Sequence, residues 1–162
     1  NIPLRQQEKI FAHSRLALRS FDFNMYVVPH IFLLLTFIKI KHNVFYKELK
    51  NNSLTIKEVQ EKLISIIKIK INDDTERQLM WLEISLINAY NNYTNERYHR
   101  KSLYERDKET GQNKALISSI IKTSSENDVM HILESLNRGR GIGDLDLSHF
   151  TKRIDLLEDL KT

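Results

Sequence analysis

The stretch of sequence that most constrains the fold is the apolar run over residues 27–40. A helix that spans a bilayer needs about 20 consecutive apolar residues. This run is shorter and contains Pro29, His30 and Lys39. We therefore predict no membrane span here. Because the run is apolar on nearly every side, we expect a buried helix over residues 27–41 at the centre of the fold.

The composition favours helices over sheets. The 162 residues include only four glycines and two prolines, so few tight turns are available, whereas residues that favour helices are abundant. A hydrophobic fraction of 41% is sufficient for a core. We predict an all-α fold: a single helical domain over residues 1–162, in which an irregular bundle of several helices surrounds the apolar one.

Apolar spacing and capping signals predict the individual helices. The clearest start is Thr55-Ile56-Lys57-Glu58, which has the spacing of a capping box. Asp73 and Glu76 repeat that spacing. Between residues 93 and 112 the apolar periodicity is lost, and we expect an exposed helix followed by a loop. Besides that exposed helix, the predicted helices cover residues 3–19, 27–41, 44–49, 55–68, 74–91, 114–122, 128–137 and 148–160.

The first predicted helix is amphipathic and basic. Pro3 stands where a helix begins, because its fixed φ suits the first helical position. The apolar side chains expected to face a core are those of Leu4, Ile10, Phe11, Ala17 and Leu18. The basic side chains expected to point elsewhere are those of Arg5, Lys9, Arg15 and Arg19.

The sequence lacks the residues or the spacing that several kinds of functional site require. Cysteine is absent, which excludes disulfides, thiolate zinc sites and a cysteine nucleophile, and fits a reducing cytoplasm. The six histidines lack the spacing of zinc ligands, so we predict no metal site. The glycines of residues 139–144 match neither a phosphate loop nor a dinucleotide fingerprint, and we expect a flexible helix stop there. We predict no catalytic residue in this chain.

A family resemblance comes from the first third of the chain. A helix containing Leu4-Arg5-Gln6-Gln7-Glu8 is followed by the apolar helix with Phe32-Leu33-Leu34-Leu35. This order resembles the region that follows the nucleotide-binding core in KAP-family P-loop NTPases. The resemblance implies that the phosphate loop and the metal-binding acidic residue lie upstream of residue 1. We therefore expect this chain to be part of a larger protein.

The resemblance also implies a function. The chain would be a C-terminal helical lid or relay that couples nucleotide state to a partner, and it would not be catalytic alone. ATP and Mg would be bound only by the parent protein, and the first partner would be the NTPase core. The family is associated with membrane-linked signalling and, in bacteria, with phage exclusion. We expect a cytoplasmic chain, with any membrane attachment in the missing part.

Arg5 is the residue that the resemblance nominates for nucleotide binding. Guanidinium groups bind phosphate oxygens in a bidentate manner, and related P-loop ATPases place an arginine of the helical lid against the nucleotide. The competing interpretation is a solvated helix face. Arg15 lies on a different helical face and cannot easily contact the same phosphate.

A basic and aromatic segment over residues 96–106 suggests an alternative function. Basic residues can hold a nucleic-acid backbone while aromatic rings stack on bases, and the net charge of +4 is compatible with such a partner. The chain would then be an independent helical module that binds nucleic acid or protein. An exposed helix with internal ion pairs explains the same pattern. The candidate contact residues are Arg97, Tyr98, Arg100 and Lys101.

Overall fold

The computed structural model describes residues 3–19, 21, 28–67, 73–93, 102–121, 126–138 and 143–159. Within these ranges the chain is mainly helical, which confirms the predicted all-α fold. The helices are α1 (Leu4–Leu18), α2 (Pro29–Lys41), α3 (Asn43–Lys50), α4 (Ile56–Ile66), α5 (Asp73–Asn92), α6 (Glu126–Arg138) and α7 (Leu147–Asp159). Two short strands, β1 (Tyr104–Arg106) and β2 (Asn113–Ala115), pair as a hairpin.

The chain divides into two compact units. The first, here called the split unit, consists of Asn1–Ser53 and Leu147–Thr162. The second, here called the inserted unit, consists of Leu54–Asp146. The sequence predicted a single domain over residues 1–162. The division into two compact units does not test that prediction.

The apolar helix α2 is the centre of the split unit. It begins at Pro29, whose fixed φ suits the first helical turn. Its side chains Phe32, Leu35 and Ile38 are completely buried, and α1, α3 and α7 pack around it. The predicted buried helix is thereby confirmed. From α7 the core receives Phe150, which is buried.

The predicted core face of α1 is largely wrong. Ile10 is buried as expected, together with Ser14, but Leu4, Phe11 and Leu18 are exposed. The helix has apolar residues on two sides, and only the side bearing Ile10 packs on α2 and α7. Hydrophobic spacing identifies apolar sides without telling which one a neighbouring helix covers. The Ala17 side chain lies outside the described residues.

The inserted unit begins with the predicted capping box. The Glu58 N–H donates to Thr55 Oγ1 over 3.3 Å, and the Thr55 N–H donates to Glu58 Oε2 over 2.7 Å. Both halves of the box are therefore present at the start of α4. The equivalent prediction for Asp73 falls on a side chain outside the described residues, although α5 starts at that residue.

The inserted unit has a core formed by its own residues. Helices α5 and α6 and the hairpin contribute buried side chains that include Met80, Ile84, Val129 and Leu133. Trp81 packs against this cluster while partly buried. Its large ring therefore fills space beside the core of this unit.

Two secondary-structure predictions for the inserted unit are wrong. Tyr104–Arg106 forms a strand where an exposed helix and loop were expected, and residues 113–121 form a strand and an irregular segment where a helix was expected. The strands are antiparallel, with Tyr104 opposite Ala115. The Leu116 N–H then donates to the Leu103 carbonyl over 2.8 Å. Pairing between the strands overrides the local helix preference of Lys114 and Ala115, which are good helix formers.

Among the helices that the structure describes, none is both long and apolar enough to cross a membrane. This agrees with the prediction made for the apolar run.

Candidate functional site

The exposed side of α1 carries a row of large apolar residues. Leu4 is 71% exposed and Phe11 is 63% exposed, and Leu18 is exposed as well. These residues are seven apart, an interval that returns to within about 20° of the same side of an α-helix. The row therefore runs along the whole helix, beside the side that bears Ile10 and Ser14 and is packed in the split unit.

Two opposite charges lie within the same row. Glu8 follows Leu4 by four residues, and Arg15 follows Phe11 by four. Each charged side chain therefore neighbours the apolar side chain that precedes it on the helix surface. Both charged residues are exposed. We call Leu4, Glu8, Phe11, Arg15 and Leu18 together the outer face of α1.

Arg5 is also exposed on α1, beside the outer face. Its position on the helix is about 80° away from that of Arg15, which agrees with the expectation that they would not contact one phosphate. A role for Arg5 in nucleotide binding stays a prediction.

The candidates for nucleic-acid or partner binding, Arg97, Tyr98, Arg100 and Lys101, lie outside the described residues. Their proposed role stays a prediction. The described residues that follow them enter the hairpin through Leu103, which is buried in the core of the inserted unit.

Sequence reasoning missed a charged cluster in the split unit. Asp155 Oδ1 accepts from Lys39 Nζ and from the Tyr46 hydroxyl, both over 2.9 Å, and Oδ2 accepts from Lys50 Nζ over 2.6 Å. Burial raises the pKa of Asp155, but the hydrogen bonds from Lys50, Lys39 and Tyr46 outweigh it, so that the pKa is lowered. The sequence signal was Lys39, a lone charge in an apolar helix that needs a partner.

A second carboxylate is buried in the inserted unit, and the sequence did not reveal it either. Glu83 is completely buried. Its Oε1 accepts from Gln60 Nε2 over 2.7 Å and from the Ile120 N–H over 3.0 Å, while Oε2 accepts from the Ser119 hydroxyl. Gln60 also donates to the Ser118 carbonyl over 2.7 Å. The carboxylate thereby fixes the irregular segment after β2 against α4 and α5.

The glycine cluster is described only from Gly143 onward. The Gly143 carbonyl accepts from Asn88 Nδ2 over 3.1 Å and from Asn92 Nδ2 over 2.6 Å. A Cβ at this position would stand 2.3 Å from Asn137 Oδ1 and 3.0 Å from the Asn137 Cα. A side chain there would require the Asn137 side chain to move and the backbone of α6 to give way slightly, so glycine suits the close passage of this backbone over α6.

A small cleft lies beside the hairpin. It encloses about 260 Å³, and its lining includes Asp107, Lys114 and Met130. Asp107 Oδ1 accepts the N–H groups of Glu109 and Thr110, each over 2.8 Å. The hydrogen bond from the Thr110 N–H, and then the one from the Glu109 N–H, lower the pKa of Asp107. This carboxylate thus shapes the turn between the strands. No group of three side chains able to hold a metal occurs in the described part of the chain.

No protein-family model, curated protein or solved structure matches this chain. The similarity to KAP-family NTPases stays an expectation drawn from the first two helices. The geometry that bears on function is therefore that of the outer face of α1 and of the carboxylates Asp155 and Glu83.

Proposed function

We propose that this chain is a helical interaction region that binds a protein partner through the outer face of α1. The observation that supports the proposal is the exposure of Leu4 and Phe11 on a helix whose adjacent side, bearing Ile10 and Ser14, is packed in a core. Covering a large apolar side chain contributes about 1.5 to 3 kcal/mol. A row of large exposed apolar residues along one helix, with charged residues between them, is an arrangement that a partner helix can cover.

The carboxylates of Asp155 and Glu83 are better explained as stabilising groups than as catalytic ones. Asp155 accepts three hydrogen bonds and is held between two lysines. Glu83 is completely buried and likewise accepts three. A general base must be able to reach the proton that it abstracts, and neither carboxylate is placed for that task.

The specific form of the proposal is a lid or relay of a KAP-like P-loop NTPase. The two helices that bear the resemblance, α1 and α2, pack together within one unit. Arg5 is exposed on α1 and would bind phosphate oxygens of a nucleotide held by the core. ATP and Mg would belong to that core and would supply the phosphoryl chemistry. The contribution of this chain would be to orient a guanidinium and to convey closure to a partner.

The test begins with the complete gene product, whose sequence upstream of Asn1 should contain a phosphate loop. ATP turnover is then compared among the wild type, Arg5→Ala and Arg5→Lys. We expect Arg5→Ala to lower kcat on the order of a thousandfold, as for other arginines that contact a transferred phosphoryl group. Lys9→Ala, an exposed cation on the same helix, is the matched control and should retain turnover. Absence of a phosphate loop, or equal turnover of Arg5→Ala and Lys9→Ala, would reject the lid.

A further inference from the structure

We propose that the occupant of the outer face of α1 is the α1 helix of a second copy of this chain, lying antiparallel to the first. The proposal rests on the proposed function, since it identifies the partner of the same surface. It would make the chain a dimer with two-fold symmetry, in which the same surface of each copy meets itself.

The spacing of the apolar residues is symmetric about Phe11. Leu4 precedes it by seven residues and Leu18 follows it by seven. When two such helices run antiparallel with Phe11 at the two-fold axis, the two Phe11 rings meet. Leu4 of each copy then meets Leu18 of the other. All three exposed apolar residues are covered by apolar partners.

The two charged residues of the row also lie at nearly equal distances on either side of Phe11, and their charges are opposite. Glu8 precedes Phe11 by three residues and Arg15 follows it by four. The antiparallel arrangement therefore brings Glu8 of each copy beside Arg15 of the other, twice in the dimer. A parallel arrangement would instead bring Glu8 beside Glu8 and Arg15 beside Arg15. Exposed ion pairs add little affinity, but like charges disfavour the wrong orientation, so this pattern selects the antiparallel one.

The remaining cations of α1 do not obstruct this contact. Arg5 and Lys9 lie roughly 100° or more around the helix from Phe11. Both are exposed. Arg5 therefore stays accessible to a nucleotide in the dimer, and the dimer and the Arg5 contact are independent predictions.

The first experiment measures the mass of the full chain by sedimentation equilibrium between about 1 and 500 µM. We expect the wild type to dimerise reversibly. Phe11→Glu places two like charges at the two-fold axis and should weaken the dimer at least tenfold. Leu16→Glu is the matched control, because Leu16 is 50% exposed on another side of the same helix, and it should dimerise like the wild type. Circular dichroism verifies that both variants keep their helices.

The orientation is tested by crosslinking, which the absence of natural cysteine makes unambiguous. A mixture of Leu4→Cys and Leu18→Cys chains should form mixed disulfides, because these positions are within bonding range only in the antiparallel dimer. Leu4→Cys chains alone should not. Glu8→Arg and Arg15→Glu should each weaken the dimer, and the double variant should restore it.

A monomeric wild type at every concentration, equal loss of dimer in Phe11→Glu and Leu16→Glu, or disulfides between Leu4→Cys chains alone would each overturn the second-copy proposal. The proposed function fails by a different result. If the wild type is monomeric but Phe11→Glu loses binding of another protein, only the second-copy proposal fails. If the wild type is monomeric and Phe11→Glu also binds the partners of the gene product as the wild type does, the outer face has no binding role.

Discussion

Each unit of this protein holds a carboxylate that accepts three hydrogen bonds, and the two differ in exposure and in the kind of donor. In the split unit Asp155 is partly exposed and is paired with Lys39 and Lys50. In the inserted unit Glu83 is completely buried and accepts hydrogen bonds from an amide, a hydroxyl and a backbone N–H. The one carboxylate is compensated by charge and the other by neutral donors.

The difference determines what each carboxylate organises. Ionic partners compensate Asp155 and join α7 to α2 and α3 through side chains. Neutral donors stabilise Glu83 only if each of them is held in place, because a buried polar group without its hydrogen bonds costs about 1 to 3 kcal/mol. Glu83 therefore fixes a segment of backbone, whereas Asp155 fixes helices that are already formed.

The largest effect should come from Glu83→Ala. It would leave the Gln60 amide, the Ser119 hydroxyl and the Ile120 N–H without their acceptor, and we expect a loss of about 3 to 4 kcal/mol in the free energy of unfolding. Urea denaturation measures the loss. Hydrogen exchange should show faster exchange of the Ile120 amide.

Glu83→Gln is the matched control for this prediction. Its remaining carbonyl oxygen can still accept from Gln60 and Ile120, and its NH2 can donate to the Ser119 oxygen, so the loss should be only about 1 to 2 kcal/mol. Equal losses for Glu83→Ala and Glu83→Gln would show that negative charge, and not hydrogen-bond acceptance, matters here. The contrast between the two units would then disappear.

Asp155→Asn should have a smaller effect that depends on pH. It removes the countercharge of Lys39, whose side chain is only 12% exposed, and we expect a loss of about 1 to 2 kcal/mol at pH 7. Because the pKa of Asp155 is lowered in the folded state, its contribution is present above the unfolded pKa of about 3.9. It is lost as the pH falls through the lower folded pKa.

The measurement is the difference in unfolding free energy between the wild type and Asp155→Asn from pH 7 to pH 2. It should stay constant down to about pH 5 and shrink below about pH 4. Asp144→Asn, an exposed residue, is the control and should show little effect. A difference that does not change with pH would mean that Asp155 acts through packing alone.

Thr55→Ala should have the smallest effect. It extends the comparison to Glu58, an exposed carboxylate that is hydrogen-bonded to Thr55. The Thr55 N–H and then the Thr55 hydroxyl lower the pKa of Glu58. Loss of the hydroxyl should cost about 1 kcal/mol and raise the pKa of Glu58 part of the way to its ordinary value, as measured by NMR titration. Thr55→Ser keeps the hydroxyl and should preserve both values. An unchanged Glu58 pKa in Thr55→Ala would show that the hydroxyl does not contact the carboxylate in solution.

The elements that the sequence predicted are those defined by local interactions. The capping box at Thr55 lies within four residues, and the apolar helix α2 is recognisable from its own composition. The Asp155 cluster joins Lys39 to a residue 116 positions away, and Glu83 binds residues 23 and 36 positions away. No local pattern specifies such pairs. The hairpin was missed for the same reason, since its short strands are defined by pairing with each other.

The candidate site was predicted only in part. The sequence identified α1 and the exposed arginine at residue 5, but it assigned Phe11 to the core. The correct assignment depends on which side α2 and α7 cover, and that is a property of packing. Four of the five nominated contact residues lie outside the described residues, so the basic and aromatic segment stays a prediction.

The division of the split unit between two parts of the chain has a consequence for synthesis on the ribosome. Helices α1 to α3 are made first, but α7, which packs on all three, begins only at Leu147. At ordinary elongation rates the interval is about 5 to 20 s. During that time the inserted unit can complete its own core, whereas α7 is not yet available to pack on the apolar surface of α2. The nascent chain would therefore expose an apolar part of α2 until α7 has been made.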